Sequence, residues 1–118
     1  TIRVAIPTPP PNRIPVVTLG PDQVVGTEAV VTLSAEGTVD PDGDPLVYRW
    51  RQTKGRFVFL LGADTATPRF VSPLVASEDE LEFELVVLDD KGASTLPSTV
   101  RVTVRPTVLL AQVPPLRP

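Results

Sequence analysis

With 118 residues, 42% of them hydrophobic, the chain can form one domain with a modest core, and it lacks the composition of a disordered chain. The absence of cysteine and histidine excludes the common zinc, iron–sulfur and haem sites, thiol nucleophiles and histidine-based catalysis, and we expect no organic cofactor. The net charge of −3, with scattered arginines, argues against nucleic acid as a partner, and no apolar run is long enough for membrane insertion.

The 15 prolines cluster towards both ends of the sequence. "IPTPPPNRIP" occupies positions 6 to 15 and "VPPLRP" positions 113 to 118, and such compositions favour extended, semi-rigid segments. We therefore predict three parts. They are an extended strand with a proline-rich linker at 1–11, a β-sandwich at 12–105 and an extended proline-rich tail at 106–118.

Between these ends, runs of residues alternate between polar and apolar, and this period of two predicts β-strands. In chain order the runs are "AVVTLSAEG" from Ala29, "PLVYRWRQ" from Pro45, "RFVFLLG" from Arg56, "TPRFVSP" from Thr67, "DELEFELVVLDD" from Asp79 and "TVRVTVRP" from Thr99. Turn residues separate the runs, and none has helical periodicity. The pattern predicts an all-β fold, an immunoglobulin-like antiparallel β-sandwich of about seven strands.

Three aromatic residues are the predicted centre of the core. Tyr48 and Trp50 fall on one face of their strand, and Phe83 alternates with glutamates on another. We interpret Trp50 as a core residue and not as a platform for a ligand. The neighbouring glutamates, at positions 80, 82 and 84, are predicted to form a solvated strand edge, so they do not suggest a catalytic carboxylate pair and we expect no enzyme.

The first six residues, "TIRVAI", match "TVRVTV" at 99–104 almost position for position. Ile2, Val4 and Ile6 correspond to the apolar positions of the later strand, at a distance of about one immunoglobulin-like domain plus a linker. We predict that these three residues form an assembly strand, either the last strand of a preceding repeat or a strand inserted into a neighbouring copy. The alternative is chance similarity between two valine-rich strands.

The turn "VDPDGDP" carries aspartates at alternate positions, Asp40, Asp42 and Asp44. It has the spacing of the first EF-hand ligands, but Arg51 stands where that motif needs a bidentate glutamate, so it is not an EF-hand. Two interpretations remain open. One is a plain Asx-turn, and the other is a cation site completed by distant segments. Those segments are the "LDDKG" turn with Asp89 and Asp90, and the start of the domain near Asn12 and Arg13.

Several motifs in combination resemble the polycystic kidney disease (PKD) domain family. They are "NRIP", "DPDGDPL" followed by "YRW", "GADTATP" and "DDKGA", and the resemblance covers residues 12–105. It is closest to the PKD-like repeats of secreted and surface proteins, since "WRQTKG" replaces the G-D-G turn of many PKD domains. The resemblance implies an immunoglobulin-like sandwich without catalysis, located outside the cell or on its surface.

Some PKD-like domains bind calcium at one end, and the resemblance extends that expectation to this chain. The implied Ca²⁺ ligands are Asn12, the carbonyl of Arg13, Asp40, Asp42 and Asp89. Asp44 and Asp90 are then expected to support the turns and to be less important as ligands.

Two functions follow as hypotheses. The first is a structural or adhesion module that links end to end with copies of itself or with neighbouring PKD-like repeats and forms a surface filament. A glycan or matrix ligand is a further hypothesis that no motif in the sequence supports. The alternative is an accessory substrate-binding module of a secreted enzyme that degrades polysaccharide or protein. Such modules use exposed aromatic side chains, and the sequence leaves only Phe57, Phe59 and Phe70 for that purpose.

Overall fold

A computed structural model describes residues 11–106 of the chain. Its strands are β1 (Gln23–Val25), β2 (Val30–Thr32), β3 (Leu46–Lys54), β4 (Arg69–Val71), β5 (Asp79–Asp89) and β6 (Ser98–Val104). Within this part of the chain, no helix has the length and apolar character needed to cross a membrane. The predicted assembly strand of Ile2, Val4 and Ile6, most of the linker and the tail from residue 107 lie outside the described residues.

The strands form two sheets, as predicted for an all-β sandwich. The larger sheet has the order β1-β6-β5-β3 and the smaller one pairs β2 with β4. The described residues contain six strands, close to the predicted seven. The sandwich is not antiparallel throughout, because β1 runs parallel to β6 at the edge of the larger sheet, with Gln23 beside Val102.

The run from Arg56 to Gly62 keeps its alternation but does not form the predicted strand. Val58 is buried while Phe57 and Phe59 are exposed, as in a strand with one face inward. Only Leu61 pairs, through two backbone hydrogen bonds with Arg69 of 2.7 and 2.9 Å. Glycines with positive φ, at positions 55 and 62, bend the chain at both ends of the run, which limits pairing with a neighbouring strand.

β5 is a central strand, and the prediction of a solvated edge for its glutamates is wrong. Glu82 is only 8% exposed, because β5 lies between β6 and β3 and their side chains cover it from both sides. Its carboxylate accepts a hydrogen bond of 2.8 Å from Thr53 of β3 and lies 3.3 Å from the guanidinium of Arg101 on β6. The outward face of this sheet is therefore a cross-strand network of charged pairs.

The core lies between the two sheets. It consists mainly of inward-facing side chains of β2, β5 and β6, together with Leu33 just after β2; those of the strands include Val31, Leu81, Leu85, Val87, Val100, Val102 and Val104. Phe83 is fully buried and its ring centroid is 5.0 Å from that of Phe70 on the smaller sheet. Trp50 is buried and donates a hydrogen bond of 2.8 Å to the carbonyl of Thr65, whereas Tyr48 is half-buried at the margin of the core.

Candidate metal centre

Strand register brings two acidic turns together at one end of the sandwich. The first residue of β3, Leu46, pairs with the last residue of β5, Asp89. The 40–45 turn before β3 therefore lies beside the 89–92 turn after β5. The incoming segment reaches the same end, because Asn12 contacts Asp89 and Arg13 contacts Asp42.

Asp89 is at the centre of this end and is only 5% exposed. Its Oδ2 accepts a hydrogen bond of 2.6 Å from the side-chain amide of Asn12. Its Oδ1 accepts the backbone N–H groups of Lys91 and Ala93 at 2.9 and 2.8 Å. Burial acts to raise the pKa of Asp89, but the hydrogen bonds from Asn12, Ala93 and Lys91 outweigh it and hold the pKa below its ordinary value of 3.8.

Asp42 binds the incoming segment through Arg13. The backbone N–H of Arg13 donates to Oδ2 of Asp42 at 2.8 Å, and its Nε donates to Oδ1 at 2.9 Å. The guanidinium also donates to the carbonyl of Pro41 at 2.8 Å. The backbone and side-chain hydrogen bonds from Arg13 lower the pKa of Asp42, so this carboxylate stays charged and paired near neutral pH.

Asp40 organises its own turn as an Asx-turn does. Its Oδ1 accepts the backbone N–H groups of Asp42 and Asp44, at 2.7 and 3.3 Å. Gly43, with a φ of +75°, provides the left-handed conformation that the turn needs. The hydrogen bonds of Asp40 are therefore those of an Asx-turn, the first of the two interpretations from sequence. They do not use every carboxylate oxygen of the turn.

Two carboxylate oxygens at this end have no hydrogen-bond partner within residues 11–106. They are Oδ2 of Asp40 and Oδ2 of Asp44, and both are shielded from solvent. The side chain of Asp44 is 10% exposed, and its other oxygen accepts a hydrogen bond from the ammonium of Lys91. That contact with Asp44 raises the pKa of Lys91. Buried anionic oxygens without a donor are costly, so a further positive charge would stabilise them.

The donor set fits a hard cation. One oxygen from each of Asp40, Asp42 and Asp44 lies within 4.8 Å of the other two, and all three donors are carboxylates, the ligand type that Ca²⁺ and Mg²⁺ prefer. The two nearby cationic side chains, Arg13 and Lys91, do not balance the charge of these aspartates together with Asp89.

The oxygens of the implied ligand set differ in how many hydrogen bonds they already accept. Both oxygens of Asp42 and of Asp89 accept hydrogen bonds, whereas Asp40 and Asp44 each keep one oxygen without a partner. Asp90 points to solvent, and its side chain is half exposed, 3.8 Å from the Lys91 ammonium. Sequence reasoning did not identify Lys91 as a partner of the acidic turn, although its place two residues after Asp89 was the available signal.

Elsewhere in residues 11–106, the structure places the phenylalanines and glutamates that the sequence analysis considered. Of the three phenylalanines left for a platform, Phe70 is buried against Phe83, and only Phe57 and Phe59 are exposed. Glu80 and Glu84 of the outward face pair with arginines of the neighbouring strands, at 3.0 and 3.2 Å. These carboxylates are therefore held in ion pairs on a sheet surface.

Comparison with known proteins gives consistent results. The family model described as "K319L-like, PKD domain" matches residues 20–104. The solution structure of the PKD domain from the KIAA 1837 protein is 22% identical, with a TM-score of 0.62, over 86% of this chain and 92% of that one. The PKD domain of human KIAA0319 is 17% identical, with a TM-score of 0.61, over 98% of this chain and 100% of that one.

A third similar structure belongs to a much longer protein. It is a nucleoside hydrolase-related protein from Saccharophagus degradans that is associated with carbohydrate metabolism, 22% identical with a TM-score of 0.63. The match covers 81% of this chain but only 26% of that protein. No curated protein matches the chain in sequence. At these identities the structural similarities establish the fold alone.

Proposed function

Because the chain belongs to the K319L-like PKD domain family, we propose that it is a structural and adhesion module that links end to end with neighbouring copies. The PKD family is a non-catalytic kind of module, and its members are typically extracellular. The partners in this proposal are copies of the chain or neighbouring PKD-like repeats.

The observation that carries the proposal is that the chain enters and leaves the sandwich at opposite ends of β5. Asn12 contacts Asp89, the last residue of β5. At the other end Val104 pairs with Asp79, the first residue of β5, and Arg105 forms an ion pair of 3.0 Å with Glu78. The rise of a strand places these ends roughly 34 Å apart. Successive copies would therefore stack lengthwise, as a spacer requires.

Calcium is the second element of the proposal. When bound, Ca²⁺ would neutralise the acidic turn and tie the incoming segment to the sandwich, which would restrict the angle between successive copies. Asp40 and Asp44 would contribute the oxygens that lack a hydrogen-bond partner. The groups that complete the proposed set are Asn12, the carbonyl of Arg13, Asp42 and Asp89.

Calcium binding is tested by titration calorimetry and thermal unfolding of the whole chain, with Ca²⁺, Mg²⁺ or a chelator. We expect Ca²⁺ at a hundred times its Kd to stabilise the fold by about 2.7 kcal/mol. Asp40→Asn and Asp44→Asn should remove the heat of binding and this stabilisation. Asp64→Asn, in an exposed turn before β4, is the matched control and should retain both. A wild-type chain that shows neither heat nor stabilisation would overturn the calcium site.

End-to-end assembly is tested separately by electron microscopy of the purified chain, with and without chelator. A head-to-tail contact that does not close produces a fibre, and strand addition by residues 1–6 would provide that contact. Replacing Ile2, Val4 and Ile6 by aspartate should abolish fibres, whereas Arg3→Gln should preserve them. Uniform single particles from the wild-type chain at all concentrations would contradict assembly by this strand.

A further inference from the structure

The outer face of the smaller sheet concentrates exposed apolar side chains. Val30 of β2 pairs with Val71 of β4, and both are exposed. The bridge between Leu61 and Arg69 has an antiparallel register that sets Phe59 opposite Val71. Phe57 extends the same alternation by two residues. We refer to Val30, Phe57, Phe59, Leu61 and Val71 together as the apolar face.

The apolar face is too large to be an ordinary scatter of surface residues. Phe57 is 80% exposed, Phe59 73% and Val30 72%. An aromatic side chain presents about 150–250 Å², so the two phenylalanines alone leave roughly 300 Å² of apolar surface in water. Contiguous apolar patches beyond a few hundred Å² on a soluble domain mark contact surfaces. A shallow groove of about 450 Å³ between Val30, Phe59, Leu61 and Val71 gives this surface a concave centre.

We propose that the apolar face binds the segment 107–113 of the same chain, "TVLLAQV", which lies outside the described residues. The first argument is proximity. The backbone N–H of Arg56 donates to the side-chain carboxylate of Asp79 at 2.9 Å, and Asp79 pairs with Val104 at the end of β6. Arg56 is therefore one side-chain hydrogen bond and one strand spacing from the point where the chain leaves the sheet, and Phe57 follows it directly, at roughly 10–15 Å from that point.

Length and chemistry agree with this occupant. Seven extended residues span at most about 25 Å, whereas the five residues from Phe57 to Leu61 extend over about 15 Å. The segment can thus leave β6, turn back and still cover the face. Residues 107–116 contain no charged side chain, and the lining of the groove at the centre of the face includes one charged residue, Arg69. The segment and the apolar face can therefore interact through apolar contact.

The proposal is tested by paramagnetic relaxation in the full chain. The sequence has no cysteine, so Ala111→Cys accepts a single spin label. We expect the amide signals of Phe59 and Val71 to lose at least half of their intensity in the oxidised label relative to the reduced one. The signal of Asp42, at the opposite end of the sandwich, should be unchanged.

Matched variants separate docking from mere proximity. In the labelled chain, Phe57→Ser with Phe59→Ser should restore the Val71 signal without loss of spectral dispersion, since both phenylalanines are exposed. Val24→Ser, which replaces another exposed apolar side chain, on β1 of the other sheet, should leave the broadening in place.

Three results would overturn the proposal. The first is the absence of broadening in the amide signals of the apolar face in the labelled chain. The second is broadening that persists in the double serine variant. The third comes from mixing spin-labelled chain with unlabelled ¹⁵N chain: broadening in the ¹⁵N chain would mean that a second copy occupies the face. If a polysaccharide binds at Phe57 and Phe59 and the labelled chain shows no broadening, the first result applies and the proposal is overturned.

Discussion

The side-chain amide of Asn12 donates a hydrogen bond of 2.6 Å to Oδ2 of Asp89, across 77 residues of sequence. The same carboxylate accepts two backbone N–H groups from the turn that follows β5. One aspartate therefore holds both the incoming segment and the β5–β6 turn. The contact of Asn12 with the sandwich is strongest when this carboxylate is ionised, and Arg13 holds the next residue of the same segment through Asp42.

That dependence predicts an acid-sensitive attachment. The folded-state pKa of Asp89 is lowered below its unfolded value near 3.8, so its contribution to stability is present above pH 3.8 and is lost as pH falls through the folded pKa. Asn12→Ala should destabilise the fold at pH 7, and the difference from wild type should shrink below pH 3.8. Urea unfolding across this pH range measures both effects. Asp90→Asn, which alters an exposed carboxylate outside this hydrogen-bond group, should leave the acid profile unchanged.

For Lys91 we predict the opposite pH dependence, and we also expect its ammonium group to compete with the proposed cation for the carboxylate of Asp44. Its hydrogen bond to Asp44 raises the folded-state pKa, so its contribution is present below its unfolded value near 10.5 and is lost as pH rises through the folded pKa. Lys91→Met should remove this alkaline loss.

The same variant frees an oxygen of Asp44 and removes a like charge from the cation's surroundings. We expect calcium affinity to rise on the order of fivefold. Calorimetric titration of Lys91→Met, with Lys54→Met at the far end of β3 as control, measures the change. An affinity that falls in Lys91→Met but not in the control would show that Lys91 supports the site instead of competing for it.

Two glycines with positive φ should respond differently to alanine. A Cβ at Gly55, with φ +89°, would lie 2.6 Å from the carbonyl oxygen of Glu80 and 2.9 Å from the Cα of Leu81. Gly55→Ala should therefore cost about 2–5 kcal/mol in the free energy of unfolding, from backbone strain plus overlap with β5. Gly43, with φ +75°, has no atom within 4 Å of such a Cβ, and Gly43→Ala should cost only about 1–2 kcal/mol. Equal losses in chemical denaturation would contradict the close approach of residue 55 to β5.

The phenylalanines divide into structural and surface residues, and alanine substitution should reveal the division. Phe83 is fully buried against Phe70, so Phe83→Ala should lower the free energy of unfolding by about 3–5 kcal/mol. Phe59 is a side chain that the described residues leave mostly in water, so in a chain that also carries Leu109→Asp and Leu110→Asp, Phe59→Ala should change this free energy by about 0.5 kcal/mol or less. In the otherwise unchanged chain Phe59→Ala should cost more, because the proposed docking of 107–113 covers this side chain. Equal small losses in the two backgrounds would contradict the docking.

Alternation along the chain was sufficient to predict the all-β sandwich and the direction of most side chains. Residues two apart in a strand point the same way, so Val100, Val102 and Val104 had to lie on one face whichever strand they joined. The same local rule could not predict neighbours. Whether a strand is central or at an edge depends on pairing between distant segments, which is why Glu82 was misassigned to an edge and why 56–62 was predicted to be a strand although only Leu61 of this run pairs.

The candidate site divides in the same way. Sequence by itself determined the local turn, because aspartates at alternate positions around Gly43 fold into an Asx-turn through hydrogen bonds to their own backbone. Only the tertiary structure decided which carboxylates are satisfied. The register of β3 on β5 sets Lys91 beside Asp44, the incoming segment brings Asn12 to Asp89, and one oxygen on each of Asp40 and Asp44 is left without a partner in residues 11–106. Those contacts join segments far apart in the chain, and no local pattern specifies them.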